Sequence, residues 1–424
     1  MKAILNKIFN KRKIFNHKDI EFEKLRNQTE IKKIFNAISK FSDNSELRYV
    51  GGCVRKILNK EEFDDIDLAA NIEPNETILA LKNNDINFHE TGLKHGTVTA
   101  SVNNKNFEIT SLRRDVDTDG RHAKVEFSNN WREDALRRDF TFNSIYADLE
   151  GNLFDPFNGA EDLKNGKIKF IGNPESRIKE DYLRILRYIR FFLSYSKNGH
   201  DKKIKKAIKQ NIVGLKNLSN ERLLDELKKL VLSNGFLNLV KDEFCLEIIL
   251  LIFPQLKNIN LFNRLNKYAH ENIHAQDFIF LLSLLVIDET SNMEYFLYKF
   301  NISNESKKRM KFLNGIFSKP LEKKTFSEKN LWKIFYFNGK DYLMDMINFQ
   351  IYRSKKVDKN LLKLKNLFTS KNKPEFPVKA KNLIENYSLK EGIELGQKLK
   401  EIENIWIKND FNISKKEIEK IAKN

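Results

Sequence analysis

Apolar positions in the first third of the chain change their period several times. From Ile20 to Phe41 they recur at helical spacing (Phe22, Leu25, Ile31, Ile34, Phe35, Ile38), leading into a short strand at Leu47–Val50. A double glycine, Gly51-Gly52, follows, with a helix expected to begin near Cys53. A strand is expected around Asp65-Ile66-Asp67, then a short helix over Pro74–Lys82. Alternation next predicts a hairpin from Gly96 to Leu112, with its turn at Asn103–Asn106. Trp131 to Ala147 reads as a helix with Leu136, Phe140, Phe142 and Ile145 inward. Pro174 to about Tyr195 reads as another, with Ile178, Tyr182, Ile185, Leu186, Ile189 and Leu193 as its apolar stripe. From Asn198 onward every pattern is helical, with a polar interruption near Ser318–Asn330.

Strands mixed with helices early, then helices alone, predict an α+β chain. Its expected parts are a head over residues 1–150, with a basic extension over about 1–20, and helical segments over 151–232, 233–320 and 321–424. A chain of 424 residues is too long for one core. Its net charge of +18 favours a polyanionic partner, although lysine is abundant throughout, which makes the charge support rather than proof. No apolar run approaches the ~20 residues that span a bilayer. Cys53 and Cys245 lie far apart and form no zinc-binding spacing, which fits a reducing cytoplasm.

Glycines at a strand-to-helix turn let a ligand approach the backbone, so Gly51-Gly52 is a place for phosphate oxygens, and Arg55 adds a cationic fork. In a strand, Asp65 and Asp67 aim two carboxylates at one point. Magnesium is typically held by one or two carboxylates together with substrate phosphates. Either element alone is commonplace, as a turn or a solvated face. In this order they outline a nucleotidyl-transfer site. Glu108, opposite in phase to Phe107 and Ile109, is either a third acid facing the aspartates or a solvent-face glutamate. Arg113 to Asn130, with Gly120 and His122, is charged and nearly coreless and reads as a mobile loop.

In the second long helix, Asp181 and Arg184 stand on the polar side at i, i+3, with Arg187 continuing the row. A carboxylate only accepts and a guanidinium only donates. That pair complements the pairing edges of cytosine and adenine, and mismatches uracil and guanine twice. At about 1–3 kcal/mol per unsatisfied group, two mismatches give discrimination of about a hundredfold or more. The plain alternative is a salt bridge of little worth.

Gly51-Gly52-Cys53-Val54-Arg55 followed by Asp65-x-Asp67 resembles the opening motif of polymerase-β superfamily nucleotidyltransferases, with Lys56 where that family usually has Asp. Arg137-Arg138-Asp139-Phe140-Thr141-x-Asn143 is similar to the second motif of class II tRNA nucleotidyltransferases and bacterial poly(A) polymerases. Asp155–Leu163 looks like their third motif, Glu180-Asp181-x-x-Arg184-x-x-Arg187 like their nucleotide-selecting motif, and Glu221-Arg222-x-x-x-Glu226-Leu227 like their last. The resemblance implies a polymerase-β-like head (a small mixed sheet with helices) followed by an all-α neck, body and tail. It implies Asp65 and Asp67 on Mg²⁺ with Glu108 as third acid, and Gly51, Gly52, Arg55, Arg137 and Arg138 on the triphosphate. Asp139 is then assigned to the ribose 2′-hydroxyl, and Asp181, Arg184, Arg187 and Arg190 to the base. The implied activity is addition of C, C and A to tRNA 3′ ends from CTP and ATP, with pyrophosphate release. In the resembling family a loop equivalent to 113–130 moves when the nucleotide changes, which makes His122 a loop residue rather than a base. A poly(A) polymerase or A-adding enzyme is the nearest rival, disfavoured because His95-Gly96-Thr97 stands where poly(A) polymerases carry an Arg-Arg-Phe element. A catalytically inactive RNA-binding protein suits the charge but leaves the surviving carboxylates unexplained. Trp406 and Gly392–Gly396 look like the family's tail, where aromatics among lysines are expected to hold tRNA.

Overall fold

The computed structural model describes residues 17–118 and 123–423. The basic extension up to residue 16, Gly120 and His122 lie outside the described residues. The chain forms two compact units, one ending at Asn238 and one beginning at Leu239.

The first unit is built on a seven-stranded mixed sheet. Its strands are β1 (Leu47–Val50), β2 (Asp67–Ala70), β3 (Asn87–His89), β4 (Thr97–Val102), β5 (Lys105–Ser111), β8 (Tyr146–Ala147) and β9 (Leu153–Phe154), in the order β3-β4-β5-β2-β1-β8-β9. All neighbours are antiparallel except β2 and β5, which run parallel. One face buries Leu68, Ile109 and Val98 in a single cross-strand row. The opposite face carries a polar row, in which Asp67 pairs with Glu108, Glu108 with Thr99, and Thr99 with His89. The period of two that marks these strands in the sequence is this division between faces.

Helices α1 (His17–Asn27) and α2 (Thr29–Ser39) replace the continuous helical stretch expected there. Gln28 parts them with extended backbone (φ −69°, ψ 127°) while its carbonyl takes the first bond of α2, from Lys32 N–H. Helices α3 (Gly52–Leu58) and α4 (Pro74–Lys82) follow as expected. Strand β2 begins only at Asp67, so Asp65 sits in the run leading into it. The segment read as a loop forms a second, two-stranded sheet, β6 (Arg113–Thr118) against β7 (Ala123–Phe127).

Two further expected helices are broken, both at motif residues. Helix α5 (Trp131–Arg137) stops ten residues early, because the chain turns extended at Arg138 (φ −69°, ψ 163°). Its last carbonyls, of Arg137 and Arg138, accept from the Arg177 guanidinium at 2.5 and 2.6 Å, which satisfies groups that a longer helix would have bonded itself. Phe140 then bridges to Phe170, and Phe140, Phe142 and Ile145 are fully buried while Leu136, expected inward, is 50% exposed. After α6 (Gly159–Lys164), the 174–195 stretch is α7 (Pro174–Glu180) and α8 (Arg184–Tyr195), with α9 (Lys202–Asn211) next. Asp181 between them is extended (φ −152°, ψ 106°), and its carboxylate accepts the Leu183 N–H at 3.1 Å, a local bond that competes with helix continuation. Asp181 and Arg184 therefore flank a break rather than sharing one helix face. The expected stripe survives it, with Ile178, Ile185, Leu186, Ile189 and Leu193 buried.

The second unit is helical throughout its described residues, from Glu243–Ile252 to Lys415–Lys423. Arg309 ties Asp277 (2.8 Å) and Asp345 across three of its segments. Trp406, 3% exposed, packs edge-on against Tyr336 and Phe411, so it belongs to the core rather than to an RNA-facing surface.

Candidate active site

The site starts at the turn between β1 and α3. Gly51 has φ +70°, a backbone that side chains rarely adopt, and a Cβ there would stand 3.5 Å from Arg138 Nη1. A Cβ on Gly52 would stand 3.7 Å from Asp67 Oδ2. The glycine pair thus lies between a guanidinium and a carboxylate. Asp67 is half-buried, and its carboxyl is held above the usual range by burial and then by the neighbouring charge of Glu108 and Asp65, with Arg138 opposing. Glu108, left open by the sequence, stands directly beside Asp67 in the parallel register. Asp65, Asp67 and Glu108 line one open cleft of about 1470 Å³, together with Lys60, His89 and Lys105.

Arg138 is held in place by Asp134, which is 1% exposed. Asp134 Oδ2 accepts from Arg138 (3.0 Å) and from the Tyr146 hydroxyl (2.6 Å), and Oδ1 from Arg137 (2.7 Å). Burial alone would raise the Asp134 carboxyl, but Arg138 and Arg137 overrule it and hold it far below the carboxylate range. Of the two arginines, Arg138 faces the glycines while Arg137 stays with Asp134.

The Arg55 guanidinium has partners of its own, though its charge still reaches Asp67. It turns inward, 8% exposed, over the Phe191 ring at 4.9 Å, and donates to Asn143 Oδ1 and the Tyr195 hydroxyl (3.3 Å). No carboxylate at Lys56 is needed to fix it, because Asn143 and Tyr195 do so. Asn143 in turn donates to Asp139 Oδ1 at 2.9 Å, and Arg187 donates to Oδ2 at 2.5 Å. Burial is again overruled, here by Arg187, and the Asp139 carboxyl is lowered to about 2. Arg190 lies 3.0 Å from Glu226 and Arg187 3.7 Å from the same carboxylate, so both arginines brace helix α10 (Asn220–Val231) instead of standing clear beside Arg184. Asp181 accepts from Arg222 of α10 at 2.8 Å, and Arg184 donates to Glu180 and to the Arg177 carbonyl, both at 2.7 Å.

Sequence reasoning passes over Asp134 and Arg177, which position this set. Asp134 had a detectable signal, standing at i−3 and i−4 to the two motif arginines. Arg177 showed only an i, i+3 pair with Glu180, which says nothing of the two carbonyls 40 and 39 positions away that it also holds.

Residues 47–169 match the family model described as the Poly A polymerase head domain, and residues 201–259 that described as the probable RNA and SrmB-binding site of polymerase A. Over 388 residues the chain is 34% identical to the mitochondrial CCA tRNA nucleotidyltransferase 1 of Mus musculus, covering 89% of this chain and 86% of that one. The chain belongs to the CCA tRNA nucleotidyltransferase family. The human counterpart is 46% identical over 209 residues, a match that spans 49% of this chain and 48% of the human one. The fold of this chain is that of the Bacillus stearothermophilus CCA-adding enzyme crystallised with CTP, at a TM-score of 0.72 and 22% identity over 93% of this chain and 97% of the other. As in that family, a mixed-sheet head is followed by helices, and none of the described helices is long and apolar enough to cross a membrane.

Proposed function

We propose that this chain builds the CCA end of tRNA from CTP and ATP without a nucleic-acid template, using Mg²⁺. The observation that carries the reading is three carboxylates lining one open cleft, with one of them, Asp67, beside the glycine turn that Arg138 faces, in a chain that aligns with 86% of the mouse enzyme. The near-full-length relatives favour it over poly(A) synthesis, and the intact carboxylates favour it over an inactive RNA-binding protein.

Asp65, Asp67 and Glu108 offer hard oxygen donors, and the crowding that holds the Asp67 carboxyl up is what a divalent cation relieves. When bound there, Mg²⁺ supplies neutralising charge to the entering and leaving oxygens. Gly51, Gly52 and Arg138 receive the triphosphate, with Arg137 behind. The tRNA 3′-oxygen bonds to the α-phosphorus, the α–β bridging P–O bond breaks, pyrophosphate leaves, and Glu108 takes the hydroxyl proton. Asp139, fixed by Arg187 and by the Arg55–Asn143 relay, accepts from the ribose 2′-hydroxyl. Asp181 and Arg184 exchange their present partners for the base edge. Neither cysteine forms a disulfide, which suits a reducing compartment, and the reading keeps the chain in the cytoplasm.

The test is extension of tRNA ending just before CCA. CTP alone is expected to give two additions and both nucleotides three. A long A tail would instead mark a poly(A) polymerase, and no extension an inactive protein. Asp181→Ala is expected to keep incorporation while losing about a hundredfold or more of its preference for C and A over U and G, measured by competition between nucleotides. Preference at the wild-type level would remove this account of base choice.

A further inference from the structure

The polar row on the sheet continues past the catalytic acids, and its direction has a chemical meaning. The triphosphate side of the site is fixed by Gly51, Gly52 and Arg138, at the end of β1, on one flank of Asp67. On that flank the same face of the sheet is closed by an apolar cluster of Val50, Ala69, Trp131, Ala135 and Tyr146. In phosphoryl transfer the entering and leaving oxygens stand roughly in line through the phosphorus. Pyrophosphate leaves toward the glycine turn, so the attacking hydroxyl must arrive from the opposite flank of Asp67. The sheet order names what is there, since β5, β4 and β3 follow β2 outward in that direction.

Those three strands present an unbroken polar surface. Glu108 leads to Thr99 and then to His89 in one register row, and Asn106, Ser101 and Asn87 form the next. Glu108 and His89 are exposed, Thr99 is half-exposed, and all three line the cleft that holds Asp65 and Asp67. Hydroxyl, imidazole and amide groups suit the sugar hydroxyls and phosphates of an RNA end. Lys105, whose side chain is 57% exposed and lies 3.3 Å from Glu30, stands at the same rim.

We propose that the 3′-terminal nucleotides of the tRNA lie across β5, β4 and β3, with Thr99 and His89 contacting the sugar-phosphate of the end that is being extended. The assignment rests on the proposed function and adds the site for its second substrate. Thr99 and His89 bind and position that end, and take no part in holding the incoming nucleotide.

The test pairs kinetics with a map. In full-length protein, the double variant Thr99→Val, His89→Ala is expected to raise KM for tRNA lacking CCA about tenfold, while KM for CTP stays within about twofold. The single variant His89→Ala, at an exposed position on an edge strand, keeps the measurement open if the double variant folds poorly, with a smaller rise in the same KM. A tRNA carrying a photoreactive nucleotide at its 3′ end is expected to crosslink within residues 87–108 of the unaltered protein, with no nucleotide added. Unchanged KM for tRNA, a rise in KM for CTP instead, or a crosslink elsewhere in the chain overturns the assignment. Wild-type protein that crosslinks within 87–108 but extends nothing overturns the proposed activity and leaves the RNA site standing.

Discussion

Replacing Asp67 by Asn is expected to cut nucleotide addition by ~10³-fold or more, at least about 4 kcal/mol of transition-state stabilisation, while leaving the protein at least as stable as before. The two halves of that outcome come from one geometry. Asp67 stands beside Glu108 in register and near Asp65, and its carboxyl is raised by burial and by those charges. A carboxyl whose folded pKa lies above its unfolded value penalises the fold once it ionises, so the neutral amide removes a cost at neutral pH. The proposed chemistry loses one of its three carboxylates; the fold loses a repulsion. Primer extension and thermal unfolding on the same sample check both. A variant that is inactive because it melts early would contradict this account of Asp67.

Asp134→Ala is expected to do the reverse, with its main effect on the fold. One carboxylate, 1% exposed, holds Arg137, Arg138 and the Tyr146 hydroxyl. Removing it leaves two guanidinium groups without their buried counter-charge, a loss of about 3–5 kcal/mol, readable as a lowered denaturant midpoint for the first unit. Arg138 is also freed from its place over Gly51, so any protein that remains folded is expected to bind triphosphate more weakly. Acid has a related effect. Asp134 and Asp139 are both held below their unfolded values, so their stabilisation is fully present above about pH 4. It is lost as pH falls through the Asp139 value of about 2. The first unit is expected to lose stability across that window.

The parts of this molecule that could be read in advance are those set by local periodicity. Alternation between buried and polar positions gives β4 and β5, and with them the direction in which Glu108 points relative to Phe107 and Ile109. The breaks at Arg138 and at Asp181 are places where polar side chains outweigh local helical preference. Arg177, distant in sequence, takes the carbonyls that end α5, while Asp181 accepts the nearby Leu183 N–H and is held by the distant Arg222. Periodicity stays helical through both breaks because the apolar stripe on either side still faces the core. Arg55 is a third case. Its position near the glycines suggested a phosphate ligand, but its guanidinium is fixed by Asn143 and Tyr195, 88 and 140 positions away. The period of the hydrophobic pattern carries no information about such partners.

The pairing of β2 with β5 is the one parallel ladder in the large sheet, and it sets Asp67 level with Glu108. The spacing of those two acids is therefore a property of strand register and is indifferent to how much chain loops out between them. Turns along the stretch between β2 and β5 can lengthen or shorten without moving one carboxyl relative to the other, as long as β4 stays paired with β5. A lineage can thus remodel those turns while the acids, and the strands that carry Thr99 and His89, keep their places.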